Sequence, residues 1–180
     1  NRNYQFMALS GNAPTWVETA MTPTANVFSL NNVIVAGNGQ FIGTANTVAM
    51  STTNIAETVS ILPAAIAGFY RYNVTSQTIA YCTANSTGNF IINISGSDST
   101  ALNSLLSIGQ SITCALLFTN GTTGYYNTSV QVDGLTVAPK WQGGATPTYG
   151  NVSSVDMYAY TVVKTANATF TVFASQTKFA

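Results

Sequence analysis

Asp133-Gly134 separates two runs of alternating residues, Tyr125 to Val132 and Leu135 to Ala138. A two-residue type I′ turn needs positive φ at both central positions, and Asp-Gly is one of the few pairs that supplies it. A hairpin here commits the surrounding chain to strands. The same pattern of short apolar or alternating runs cut by Gly and Asn extends over most of the chain. Gly68 to Val74 and Thr78 to Thr83 flank Thr75-Ser76-Gln77, which reads as a second hairpin. Asn89 to Ser95 follows a turn at Ser86-Thr87-Gly88. Ser111 to Phe118 is nearly continuous in apolar residues and reads as a central strand covered on both faces. Val155 to Lys164 and Ala168 to Ser175, joined by Thr165-Ala166-Asn167, close the chain. The loop between Pro139 and Asn151 is the longest stretch without periodicity.

The pattern is less regular upstream. Tyr4 to Leu9 is a short apolar run, and Pro14 and Pro23 bracket a segment around Trp16 and Val17. Val27 to Leu30 and Val33 to Ala36 read as strands, and Gly37-Asn38-Gly39 as a turn before Gln40-Phe41-Ile42. One helix is expected, from Ser99 to Ser107. Asp98 or Ser99 would cap it, Leu102, Leu105 and Leu106 would share a face, and Gly109 would take the left-handed position after its end. The expected fold is therefore all-β: an antiparallel β-sandwich, jelly-roll-like, with one short helix plugging an end. Residues 1–54 form a β-rich N-terminal segment, a docking arm or small subdomain, and residues 55–180 form the sandwich domain. The chain begins Asn1-Arg2-Asn3 without Met, which reads as processing or as a piece of something longer.

Chemistry is nearly absent from the sequence. With no histidine, the commonest general base and metal ligand are missing. Glu18, Glu57, Asp98, Asp133 and Asp156 are dispersed. Asp98 reads as a cap and Asp133 as a turn residue, which leaves Glu57 and Asp156 as the one pair for a glycosidase-type reaction. Serines and threonines abound but lack a base and a nucleophile elbow. Gly143-Gly144 is not followed by the Lys-Ser/Thr of a phosphate loop. Cys82 and Cys114 read as small buried hydrophobes, bonded only if their strands are neighbours. No catalytic residue, cofactor or metal is expected. Asn73, Asn85, Asn93, Asn120, Asn127, Asn151 and Asn167 each precede x-Ser/Thr, but in a chain so rich in these residues the matches read as coincidence.

Composition bears on partners. Charged residues make up 6% of the chain and the formal net charge is zero, so no electrostatic term keeps copies apart. Five Lys/Arg scattered along the chain do not make a nucleic-acid footprint. No apolar run approaches the roughly 18 residues of a membrane span. Tyr70, Tyr72, Tyr81, Tyr125, Tyr126, Tyr158 and Tyr160 read as cross-strand pairs that stiffen the sheets, with some rings facing outward. The sharper reading of such rings is a glycan platform or a subunit contact. Trp141 beside Gly143 and Gly144, with Tyr125, Tyr126 and Tyr149, forms the candidate contact set. The competing reading of Trp141 is a ring anchored in the core over glycines that admit it. Asp156, Lys164 and Lys178 are candidates for cross-strand pairing.

Several segments carry a family resemblance: Lys140-Trp141-Gln142-Gly143-Gly144, Gly150-Asn151, Asp156-Met157-Tyr158, Thr161-Val162-Val163-Lys164-Thr165 and Ala174-Ser175-Gln176-Thr177-Lys178-Phe179. Together they resemble a C-terminal pattern of tail-fibre-like virion structural proteins from tailed phages of marine and cyanobacterial hosts. The resemblance extends upstream through Gly109-Gln110-Ser111, Thr119-Asn120-Gly121, Tyr125-Tyr126 and Val132-Asp133-Gly134, and more faintly to Glu57-Thr58-Val59. It covers roughly the last two thirds of the chain and leaves residues 1–54 unmatched. It transfers no catalytic residue. It implies a non-enzymatic part of the virion exterior (head decoration, fibre or tail component) whose partners are other virion proteins and copies of itself. The absence of heptads or a long repeat weighs against a fibre shaft. The alternative is a receptor-binding module that recognises host surface glycan through exposed Tyr and Trp. Neither reading involves nucleic acid or membrane.

Overall fold

Along Val155 to Ala166 every second side chain is buried: Asp156, Tyr158, Tyr160, Val162 and Lys164. Period-two burial is the mark of a strand with one face on a core. The computed structural model describes residues 56–179 together with two strands nearer the N-terminus, β1 (Tyr4–Met7) and β2 (Thr15–Glu18). The chain divides into two units, Asn1–Ser51 and Thr52–Ala180. In the first, β1 and β2 pair antiparallel, with Phe6 opposite Trp16. The strands and turn expected between Val27 and Ile42 lie outside the described residues.

The second unit contains β3 (Val59–Leu62), β4 (Gly68–Asn73), β5 (Ile79–Cys82), β6 (Phe90–Ser95), β7 (Ser111–Thr119), β8 (Asn127–Val132), β9 (Leu135–Val137), β10 (Lys140–Trp141), β11 (Val155–Ala166) and β12 (Thr169–Phe179), with one helix, α1 (Leu102–Leu105). They form a six-stranded sheet, β10-β12-β11-β7-β5-β3, and a four-stranded sheet, β4-β6-β8-β9. The sheets meet through an aromatic seam. Phe90 of β6 lies 4.5 Å from Phe118 of β7 and 5.2 Å, edge-on, from Tyr158 of β11.

The expectation of antiparallel pairing throughout is corrected. Successive strands from β3 to β8 alternate between the sheets, so β3, β5 and β7 run parallel in one while β4, β6 and β8 run parallel in the other. The chain winds as a flattened coil. Thr75-Ser76-Gln77 is a corner of that coil rather than a hairpin. None of its residues takes positive φ, and Val74 and Thr75 donate their N–H groups onward to Ser95 and Gly96 of the neighbouring coil. The chain is thereby held to its own sheet until it crosses to the other. Antiparallel pairing appears where the chain closes: β8 turns into β9, and β11 lies between β7 and β12. Asp133 and Gly134 take φ of 50° and 82°, as the Asp-Gly turn requires.

The helix is shorter than expected, a single turn at Leu102–Leu105. Its cap comes from neither Asp98 nor Ser99. Asp133 accepts the N–H groups of Leu102 (2.6 Å) and Asn103 (2.9 Å) across the coil, while Asp98 pairs with Arg71 at 3.6 Å. Leu102 is fully buried but Leu105 is 44% exposed, so the shared apolar face is incomplete. Gly109 does take positive φ. Both cysteines are free and buried. Their strands are neighbours, yet Cys82 aligns with Phe118. That offset puts it roughly 13 Å from Cys114, beyond disulfide reach. The tyrosines are more deeply placed than the alternation suggested. Tyr72, Tyr158 and Tyr160 are fully buried, and Tyr70, Tyr81, Tyr125 and Tyr126 are half-buried. Asn93, Asn120 and Asn127 are buried as well, which leaves no room for glycans there.

Candidate contact site beside the closing hairpin

The loop after β9 runs alongside β12. Lys140 and Trp141 add a short parallel strand against Phe173 and Ala174. A 3-10 turn follows at Gln142–Gly144, where Gly143 and Gly144 both have φ of 77°. A Cβ on either would meet nothing within 4 Å. These glycines serve the backbone turn and do not make room for the Trp141 ring. That ring is half-buried and sits edge-on to Tyr160, with centroids 6.4 Å apart. It is anchored at the rim of the core, and one side is left open. Trp141, Gln142, Ala145, Pro147, Gln176, Thr177 and Lys178 line a cleft of about 440 Å³.

Tyr149 is 64% exposed, and the Lys178 ammonium lies 3.1 Å from its ring centroid. A cation over an aromatic face is attracted by the ring quadrupole, so this pair forms a semi-rigid post beside the cleft. The pairing expected between Lys178 and Asp156 is half realised. They are register partners, but the ammonium rests on Tyr149, and Arg71–Asp98 is the ion pair seen among the described residues. Lys164 pairs with no acid. It is buried and donates to the carbonyls of Asn103 (2.6 Å) and Leu106 (2.8 Å) at the end of α1, where carbonyls lack intrahelical partners.

Beneath the cleft lies a polar cluster that the sequence did not single out. Asp156 is fully buried. Its Oδ2 accepts from the Asn151 N–H (3.0 Å), Gln176 Nε2 (3.0 Å) and Asn120 Nδ2 (3.4 Å), while Oδ1 has no protein partner. Burial pushes its pKa up, opposed by the hydrogen bonds from Asn151 and Gln176 and by the Lys178 charge. Asn120 also clamps Tyr125, accepting its N–H at 3.0 Å and donating to its carbonyl at 3.2 Å. A Cβ on Gly150 would collide with the Tyr125 carbonyl and lie 2.6 Å from Asn120 Nδ2. Gly150 is therefore required by close approach. The signal available in the sequence was Asp156 standing in phase with Tyr158 and Tyr160, a charge on the inward side of a strand.

The six candidate contact residues thus separate. Trp141 lines the cleft, Gly143 and Gly144 form the turn at its rim, and Tyr149 stands beside it on Lys178. Tyr125 and Tyr126 lie instead in the β7–β8 crossing, half-buried. Tyr125 is clamped by Asn120, and Tyr126 donates its N–H to Asn89 Oδ1 at 3.0 Å. The carboxylate pair is not assembled. Register carries Val59 through Ile79 and Ala115 to Ala159, so Glu57 and Asp156 lie roughly 20 Å apart at ordinary strand spacing. No group of three metal-ligating side chains occurs among the described residues. The cleft offers contact chemistry: one aromatic wall, amides and one cation. Compared with known proteins, the chain matches no family model, no curated protein and no solved structure.

Proposed function

We propose that this chain is a non-enzymatic structural protein of the exterior of a tailed-phage virion, working as a head decoration, fibre or tail component beside other virion proteins and copies of itself. The observation that carries the reading is the outer face of the six-stranded sheet. The side chains that β3, β5, β7, β11 and β12 present there, opposite in phase to the buried set, include no Asp, Glu, Lys or Arg. Lys140 stands at the β10 edge, its ammonium 5.9 Å from the Phe173 ring. The face mixes exposed apolar side chains such as Ile61 and Phe173 with serines and threonines, and an uncharged surface of that kind suits contact with other protein. The C-terminal resemblance supplies the setting. The finer expectation of a jelly roll asks for antiparallel neighbours in both sheets; the parallel registers favour a flattened coil closed by a hairpin. Cryo-electron microscopy of purified particles tests the role. Density fitting residues 56–179 on the particle surface is the expected result, and particles lacking this chain would end the reading.

A second reading is favoured by the cleft itself. Trp141 and Pro147 with Gln142 and Lys178 offer a stacking surface and hydrogen-bond donors suited to a host surface glycan. Binding on a glycan array, lost in Trp141→Ala and weakened in Tyr149→Ala, is the expected result. Equal signals from all three proteins, or none from wild type, would remove it.

A further inference from the structure

We infer that the glycan taken by the cleft is an acidic oligosaccharide, held across Trp141 with one lysine at each end. The cleft does not stop at Trp141. That residue and Gln142 also line a second hollow, of about 350 Å³, together with Lys140, Thr161, Phe173 and Ser175. The two hollows follow one another along β12, the second beside Phe173 to Ser175 and the first beside Gln176 to Lys178. Each carries one cation, Lys140 in the second and Lys178 in the first. Lys140 aligns with Phe173, so the two lysine backbones stand roughly 17 Å apart at ordinary strand rise. A span of that length calls for several linked sugar rings.

Both ammonium groups are placed by aromatic rings and not by acids. Lys178 lies 3.1 Å from the Tyr149 ring centroid, and Lys140 lies 5.9 Å from that of Phe173. A ring attracts a cation to its face without neutralising it, so each ammonium keeps its charge for an incoming anion. The other cations among the described residues of this unit are engaged. Arg71 pairs with Asp98, and Lys164 is buried against carbonyls at the end of α1. No acid lines either hollow. Asp156, the register partner of Lys178, is fully buried and accepts three hydrogen bonds at Oδ2. Between the lysines the surface is uncharged: the Trp141 ring for stacking, and the Gln142 amide with the Ser175 and Thr177 hydroxyls for sugar hydroxyls. An acidic peptide fits less well, because the edge strand β10 has two residues, too few to add a peptide strand by backbone pairing.

This inference rests on the glycan reading above and names the class of glycan. The test is an array of sulfated, uronate-containing and sialylated oligosaccharides beside their neutral counterparts, probed with the full chain at low and high salt. Acidic tetrasaccharides are expected to bind about tenfold or more tightly than neutral ones, and to lose that advantage at high salt. Lys140→Gln and Lys178→Gln are each expected to weaken acidic binding about threefold to fivefold, and the double variant to bring it to the neutral level. Lys140→Arg and Lys178→Arg are expected to keep it. Far-UV circular dichroism checks that each variant folds. Equal binding of the neutral counterparts, or acidic binding that both glutamine substitutions leave unchanged, would overturn the inference and leave the glycan reading standing. Silence across the whole array would remove both. Displacement by hexaglutamate as readily as by free acidic tetrasaccharide would give the groove to acidic peptide instead.

Discussion

Asp156 shows how one charged residue can shape the pH response of a chain that has few others. Its folded pKa is raised by burial, so the native state holds the proton more tightly than the unfolded chain. Stability therefore falls as pH rises from the ordinary carboxylate value through the raised one, and the full penalty applies above that window. Melting temperature is expected to climb on acidification through that window. Asp156→Asn should flatten this slope and stay within about 1 kcal/mol of wild type at neutral pH, because its Oδ1 can take the three donors while its amide occupies the unpartnered oxygen's place. Asp156→Ala strands the same donors and is expected to cost about 2–3 kcal/mol. Thermal melts of the three proteins from acid to neutral pH check both statements. The thiols give a second residue-scale outcome. Both cysteines are buried, and burial pushes Cys114 up to about 12. Neither is expected to react with a thiol reagent at neutral pH until the protein unfolds. The sequence disclosed that both are buried hydrophobes. It did not disclose their stagger, which depends on a register set by distant strands.

At the scale of elements, the closing hairpin was the most legible part and the helix the least. β11 and β12 follow the alternation closely because their pairing is local. The helix was misjudged in length and cap because its N-terminal partner, Asp133, lies 31 residues away and local spacing cannot reveal it. Asp133 fits the Asp-Gly turn, receives the first two N–H groups of α1, and accepts from Ser95 Oγ at 3.0 Å. Asp133→Ala is expected to cost about 2 kcal/mol, more than an ordinary capping residue, since it also loses a turn preference. Asp133→Asn keeps the tolerance of positive φ and part of the acceptor geometry, so its loss should be about half as large. Urea midpoints of the two variants separate turn from cap. The contact site was legible only in part. Trp141 stood out, but the Asp156 cluster beneath it is assembled from Asn120, Gly150 and Gln176 on three separate segments.

At the scale of the molecule, the aromatic seam joins the two sheets of the second unit. Phe118 is fully buried between Phe90 and Tyr158, and Phe118→Ala is expected to cost about 3–5 kcal/mol, read as a lower denaturation midpoint with a similar slope. The sequence made the strands and the inward phase visible. The winding was hidden, because a corner such as Thr75-Ser76-Gln77 and a hairpin turn use similar residues, and only the sheet that receives the next strand tells them apart. That winding also makes the molecule a ruler. Each coil contributes one strand to each sheet, and among the described residues β3 and β4 have no further neighbour on their outer sides. Tandem duplication of a coil at that end would lengthen both sheets by one strand spacing, about 4.8 Å, and leave the hairpin at the opposite end untouched.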